Sequence, residues 1–114
     1  MRHDSAYILD ILLMAKDAAS FVSGIDKMAF LSDRKCQLAV IRCLEVIGEA
    51  AKRIAPETRE RIRDVPWSKM AKMRDLLIHA YGRVDLSEIW DTAKNDLPPL
   101  IASLEKILPP EEDR

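Results

Sequence analysis

Residues 36–54, CQLAVIRCLEVIGEAAKRI, carry the pattern that decides the fold. Apolar side chains return alternately after four and three residues, at Cys36, Val40, Cys43, Ile47, Ala50 and Ile54. That spacing places them along one face of a helix, as in helices that pack in bundles. Charged residues such as Glu45 and Lys52 lie mostly away from this face and are expected in solvent. The stretch therefore predicts a long helix that follows a cap at Ser32 or Asp33 and buries one face.

A similar apolar stripe precedes this helix. It runs through residues 4–23, with Asp4 as a candidate N-cap, and Leu13 and Phe21 widen it beyond the core-facing positions. A small protein gains little by exposing such side chains, so a second packing partner is expected there. Residues 25–31 are predicted to form a connector with at most one helical turn.

Three further helices are expected after residue 54. Pro56 suits the first turn of a short one, and another should start near Pro66 and stop at Gly82. The last should open on a capping pair, Asp85 and Glu88, and carry an apolar stripe to residue 107. The adjacent prolines at 98 and 99 must kink or split it, because each lacks an amide donor.

These elements predict an all-α fold, an antiparallel bundle of four to five helices. The 114 residues suit a single domain, expected over 1–108, with a frayed acidic tail at 109–114. The polar N-terminus resembles neither a signal peptide nor a membrane span, so a cytoplasmic protein is expected. Cys36 and Cys43 lie seven residues apart on one helix, too far for a disulfide, and are expected to stay reduced.

The charge balance sets limits on function. The net charge is −1, so no global basic field indicates a nucleic-acid binder, and any RNA contact must come from a local patch. No glycine-rich phosphate loop, nucleophile elbow or cluster with metal-ligand spacing occurs, so neither a metal nor another cofactor is expected.

The best candidate for chemistry is the segment RDLLIHAY, residues 74–81. Asp75 and His79 are four residues apart on one helical face, so the carboxylate could orient the imidazole for proton transfer. Arg74 and Tyr81 share a different stripe, displaced from His79 by more than 100°. Two copies of this helix across a two-fold axis could unite Arg74 with His79, which predicts a homodimer. Spacing alone also fits a surface salt bridge by Arg74 and a helix-capping His79.

The wider sequence around this segment resembles the HepT-like family of the HEPN superfamily, which are small prokaryotic helical domains. Residues 39–52, AVIRCLEVIGEAAK, are similar to its R-x-LE-x-IGEAAK helix. Residues 65–67, VPW, followed by 73–81, MRDLLIHAY, resemble its PW…MR[ND]-x-x-x-H-x-Y core. Residues 84–85, 89–90 and 96–100 resemble its C-terminal part, so the similarity covers essentially the whole chain.

The resemblance implies a metal-independent endoribonuclease toxin that acts on RNA at a homodimer cleft, or in a higher oligomer. It implies that Arg74 binds the scissile phosphate and that His79 transfers a proton. Asp75 stands where the family often has Asn, and would support His79. Tyr81 would accept AMP from a cognate minimal nucleotidyltransferase antitoxin, which would block RNA by bulk and charge.

Two residues of the long helix are secondary candidates. Arg42 and Glu49 could border the cleft, and Gly48 beside them suggests a close helix approach. Two other functions fit the same features. The chain could be a non-catalytic helical partner of a nucleotidyltransferase, with Tyr81 as the target, or a helical dimer with a scaffold role.

Overall fold

The long helix predicted from residues 36–54 lies at the centre of the fold, as α3, Arg34–Lys52. In the computed structural model, which describes residues 3–79 and 83–108, it packs against α1, Asp4–Phe21, and α5, Trp67–His79. Helix α1 also packs against α7, Leu97–Ile107. Three short helices complete the order, namely α2 (Lys27–Leu31), α4 (Pro56–Arg61) and α6 (Leu86–Asp91).

The all-helical prediction is confirmed, and no strand occurs in the part of the chain that the structure describes. There are more helical segments than the four to five expected, because the connector at residues 25–31 forms a helix of its own and the last helix divides. Helix α2 is one such connector, capped by Asp26, whose carboxylate accepts from the amide of Ala29 at 2.9 Å. Asp33, not Ser32, caps α3 through the amide of Cys36.

The predicted apolar stripes form one buried core. On α3 the residues Val40, Cys43, Ile47 and Ala50 are buried, while Cys36 is half-buried at the edge. The core also takes in α1, α5 and the last helical region, where Leu104 is completely buried. Burial of these side chains is the main stabilising contribution to the fold.

Asp4 has a different role from the predicted N-cap of α1. His3 precedes the helix, and Asp4 lies in its first turn. The Asp4 carboxylate accepts from the amide of Ala55 at 3.2 Å and from the hydroxyl of Thr58. Ala55 is the residue before α4, and its side chain cannot cap the helix. Asp4 therefore supplies a hydrogen-bond acceptor at the N-terminus of α4. Spacing within one helix could not reveal this pairing, because it joins residues far apart in the chain.

Pro98 and Pro99 divide the last helix as predicted, but the irregular turn lies before them. Residues Thr92–Asp96 form a π-helical turn between α6 and α7. Both prolines then fall in the first turn of α7, where a helix leaves its amides unpaired. The wider π turn lets the chain pass the prolines without a break in the apolar stripe.

Several large apolar side chains remain exposed. Leu13 and Phe21 of α1 are exposed, as their positions outside the core stripe predict, and Leu38 of α3 and Leu76 and Ile78 of α5 join them. None of the helices described is both long and apolar enough to cross a membrane. The expected stop at Gly82 and the tail at 109–114 lie outside the described residues.

Candidate active site

Arg74 is positioned by the close crossing of α3 and α5. Gly48 is buried at this crossing, and a Cβ atom added to it would lie 2.6 Å from the carbonyl oxygen of Met70 and closer still to Cβ of Arg74. No real side chain tolerates such distances, so the crossing requires glycine. The sequence-based expectation of a close approach at Gly48 is confirmed, and the group that approaches is Arg74.

Two carboxylates hold the Arg74 guanidinium. Its Nη1 donates to Oδ1 of Asp75 at 3.1 Å, and its Nε lies 3.2 Å from Oε2 of Glu49. The second contact is an ion pair, since buried Nε lacks a hydrogen bond of good geometry among the described residues. Each carboxylate has a further cation, Lys52 Nζ at 3.3 Å from Asp75 and Arg53 Nη2 at 3.0 Å from Glu49. Arg74 is thus held in a network that joins α3 and α5.

The same cations keep both carboxylates ionised. Hydrogen bonds from Arg74 and Lys52 lower the pKa of Asp75, and burial offsets this slightly. Hydrogen bonds from Arg53 lower the pKa of Glu49, with a further contribution from the charge of Arg74 and a partial offset by burial. Both groups are therefore charged near neutral pH, where Arg74 is always protonated.

This network predicts a specific pH dependence of stability. Because the pKa values are lowered on folding, the unfolded chain binds more protons in acid, and the stabilisation is lost as pH falls. The stabilisation should be fully present above the ordinary glutamate pKa of 4.5 and disappear as the pH falls through the lower pKa values of the folded protein. Urea unfolding of the wild type should therefore lose more free energy below that pH than unfolding of the double variant Glu49→Gln, Asp75→Asn. Equal losses in the two proteins would contradict this assignment.

Arg74 borders a polar cleft of about 410 Å³ between α1, α3 and α5. Arg42, Glu49 and Arg53 of α3 also line it, and Ile78 closes one side. Arg42 is largely exposed and lies 3.8 Å from Glu45 in a solvent-screened ion pair. The cleft thus brings together Arg42, Glu49 and Arg74, three of the sequence-based candidates. Its lining holds three arginines and the carboxylates of Asp10, Glu45 and Glu49, so a phosphate group would bind to the arginines in competition with their ion pairs.

His79 is not part of this cleft in one copy of the chain. It is exposed at the far end of α5 and does not line the cavity that contains Arg74. Its predicted partner Asp75 contacts Arg74 and Lys52, and no contact between Asp75 and His79 is found among the described residues. Tyr81, the predicted AMP acceptor, lies outside the described residues.

Sequence reasoning missed Lys52 and Arg53 as part of the site and assigned them to a solvated face. The spacing of Glu49 and Arg53, four residues apart on a helix, was the available signal for one pair. The pair between Lys52 and Asp75 joins two helices and has no local signal. Among residues 3–79 and 83–108, no group of three or more His, Cys, Asp or Glu side chains is arranged to hold a metal ion.

The fold and the cleft define a small all-helical protein with an arginine-lined polar site between three helices. The chain belongs to the ribonuclease HepT-like family, whose family model matches residues 11–107. It is 40% identical over 99% of its length to "Putative RNase MJ0125" of Methanocaldococcus jannaschii, covering 97% of that protein. It is 42% identical over 93% of its length to "Probable ribonuclease HepT" of Thermococcus cleftensis, covering 96% of that protein. No solved structure was found to match the chain at a significant level.

Proposed function

We propose that the protein is an endoribonuclease toxin that cleaves RNA without a metal ion and is switched off by nucleotidylation. The observation that carries the proposal is the position of Arg74 in the cleft of a chain that belongs to the ribonuclease HepT-like family. The relatives in M. jannaschii and T. cleftensis are named as a putative and a probable ribonuclease, which supports the same activity.

Arg74 is suited to bind the scissile phosphate. Nη1 and Nε face Asp75 and Glu49, and no hydrogen bond from Nη2 is found among the described residues. A planar guanidinium fixed on one side can present its other donors to phosphate oxygens in a defined direction. In the transition state, those donors would stabilise the charge that develops on the phosphoryl oxygens.

His79 is proposed as the group that moves protons. An imidazole changes its protonation state near neutral pH, so it can accept the proton of the 2′-hydroxyl or donate one to the leaving oxygen. It is exposed in the last described turn of α5, where the ring is accessible to RNA.

A pair of protein copies is proposed to complete the site. Arg74 lines the cleft whereas His79 lies outside it, so a second α5 related by a two-fold axis is a direct way to bring them together. Exposed Leu76 and Ile78 beside these residues support the pairing, because apolar side chains at a surface favour association.

Tyr81 is proposed as the acceptor of AMP from a cognate minimal nucleotidyltransferase. The residue follows His79 by two positions, in the order that the resemblance to the HepT-like family implies. An added nucleotide would carry bulk and negative charge to the edge of the RNA site.

Co-expression with the cognate nucleotidyltransferase provides the test. The unmodified protein should cleave RNA in the presence of a chelator. Co-expression should add the mass of at least one AMP, mapped by peptide analysis to Tyr81, and abolish cleavage. Tyr81→Phe should escape both effects, since its ring keeps the shape but lacks the acceptor oxygen. Association with the transferase without RNA cleavage in any modification state would instead identify a non-catalytic binding partner.

A further inference from the structure

A second polar groove lies between α4 and the start of α5, away from the Arg74 cleft. It is open to solvent, with a volume of about 590 Å³, and Arg59, Arg63 and Lys69 are its basic side chains. Pro66 and Trp67 also line it. Trp67 is buried, and its indole donates to the carbonyl of Ile62 at 2.8 Å. Trp67 therefore helps to fix the shape of the groove and is not available to stack on a ligand. We call this surface the basic groove.

The lining of the basic groove carries a net positive charge. Its lining has three basic side chains and one acidic one, Glu60. Glu60 pairs with Arg63 at 2.7 Å, but both side chains are more than two-thirds exposed, so the pair exchanges easily with solvent. Lys69 lies 3.4 Å from Asp96, again with both side chains largely exposed. Neither pair would prevent these cations from binding another anion.

Arg59 is the most informative of the three cations. Its Nε atom is buried, and no hydrogen-bond partner for it exists among the described residues. No acidic side chain of the described residues lies within ion-pair distance of Arg59. Buried donors are nearly always satisfied in folded proteins, by protein groups or by a bound molecule. Because Nε itself is closed to solvent, an anion in the groove would reach the Nη atoms of Arg59, which also have no hydrogen bond among the described residues. This unpaired guanidinium and the excess of positive charge favour an anionic ligand.

We propose that the basic groove binds the sugar–phosphate backbone of the RNA substrate, at a distance from the bond that is cleaved. The inference rests on the proposed ribonuclease function. Arginine and lysine contacts to phosphates supply most of the sequence-independent affinity for nucleic acids. Such a groove would also provide the local basic patch that a chain of net charge −1 requires.

The geometry of α5 links the groove to the candidate active site. Trp67 is its first residue and lines the groove, whereas His79 is its last residue. At a rise of about 1.5 Å per residue, the two ends lie roughly 18 Å apart along the axis. A strand that follows this helix would contact the groove several nucleotides away from the cleavage site. The groove should therefore affect RNA binding and KM, and leave kcat unchanged.

The chain offers a matched pair of variants for the experiment. The double variant Arg63→Gln, Lys69→Gln removes two cations that line the groove. The control Arg61→Gln, Lys72→Gln removes two exposed cations from the same two helical regions, outside the groove. Both variants change the net charge equally, and neither alters a residue of the buried core. Urea unfolding should show the same midpoint for both.

Binding is measured by fluorescence anisotropy with a labelled single-stranded RNA of about 12 nucleotides. Each protein carries His79→Ala, so that the RNA stays intact. The groove variant should bind roughly tenfold more weakly, and the dependence of log K on log salt should become shallower by about 1.4, or about 0.7 for each lost phosphate contact. In proteins that keep His79, KM should rise by a similar factor at constant kcat. The control should match the parent protein in all three measurements.

The outcomes separate this inference from the proposed function. If the wild type cleaves RNA and both double variants bind it equally well, the groove is not an RNA site, while the ribonuclease function stands. If the groove variant keeps its RNA affinity but binds the nucleotidyltransferase more weakly, the groove serves a protein partner and the inference is overturned. If the wild type neither binds nor cleaves RNA, both the inference and the proposed function are wrong.

Discussion

Arg74→Ala and His79→Ala should each nearly abolish RNA cleavage. Loss of the guanidinium that stabilises the phosphoryl charge should lower kcat/KM by about 10²- to 10³-fold. Loss of the proton-transfer group should lower kcat by roughly 10²- to 10⁴-fold. Single-turnover cleavage of a defined RNA measures both effects, and the same variants should no longer arrest growth when expressed.

The Arg74→Ala variant should still fold. Alanine keeps the Cβ atom that packs against Gly48, and the carboxylates left without Arg74 still pair with Lys52 and Arg53. The matched controls are Lys72→Ala, which removes an exposed cation from the same helix, and His3→Ala, which removes the other histidine. Both controls should cleave like the wild type. Full activity of either site variant would refute the assigned roles.

A mixture of the two inactive variants tests the shared site. If each site combines Arg74 from one copy with His79 from the other, a mixed dimer of the two variants contains one site with both wild-type residues. Mixing the two proteins under conditions of subunit exchange should therefore restore part of the activity. A site built within one copy would give no restoration.

The sequence predicted the fold well because its signals are local. The four-three spacing along α3 and the caps at Asp33 and Asp85 depend on neighbouring residues only, and each is found in the structure. Asp4 was misread because its partners, Ala55 and Thr58, lie more than 50 residues away. The π turn before Pro98 has no distinct sequence pattern, although the prolines themselves indicated the break.

The candidate site was only partly predictable, for the same reason. The segment 74–81 placed Arg74, Asp75 and His79 on one helix, but no periodicity shows which residues of another helix lie opposite. The partners of Arg74 and Asp75 on α3, Glu49 and Lys52, became visible only in the folded chain. The basic groove was missed because Arg59, Arg63 and Lys69 are interspersed with acidic residues and span the break between α4 and α5.

Gly48→Ala should destabilise the protein and impair cleavage together. At an ordinary interior helix position, replacing glycine by alanine stabilises by about 0.5 to 1 kcal/mol. Here the new methyl group would overlap Cβ of Arg74 and approach the Met70 carbonyl to 2.6 Å, so α3 and α5 must separate. Overpacking of this kind costs about 1 to 3 kcal/mol. The urea midpoint should fall, and kcat/KM should drop by as much as about 10²-fold, since a shift near 1 Å misplaces Arg74.

Gly24→Ala separates the loss of stability from the displacement of Arg74. Gly24 has φ of 76° and no neighbour within 4 Å of an added Cβ, so alanine there meets backbone strain but no steric overlap. That strain costs about 1 to 2 kcal/mol. The two variants should thus lose similar stability, but only Gly48→Ala should lose activity when both are assayed well below their unfolding transitions. If Gly48→Ala raises the midpoint, α3 and α5 do not cross as closely as described. If it lowers the midpoint but cleaves RNA like Gly24→Ala, the crossing stabilises the fold without positioning Arg74.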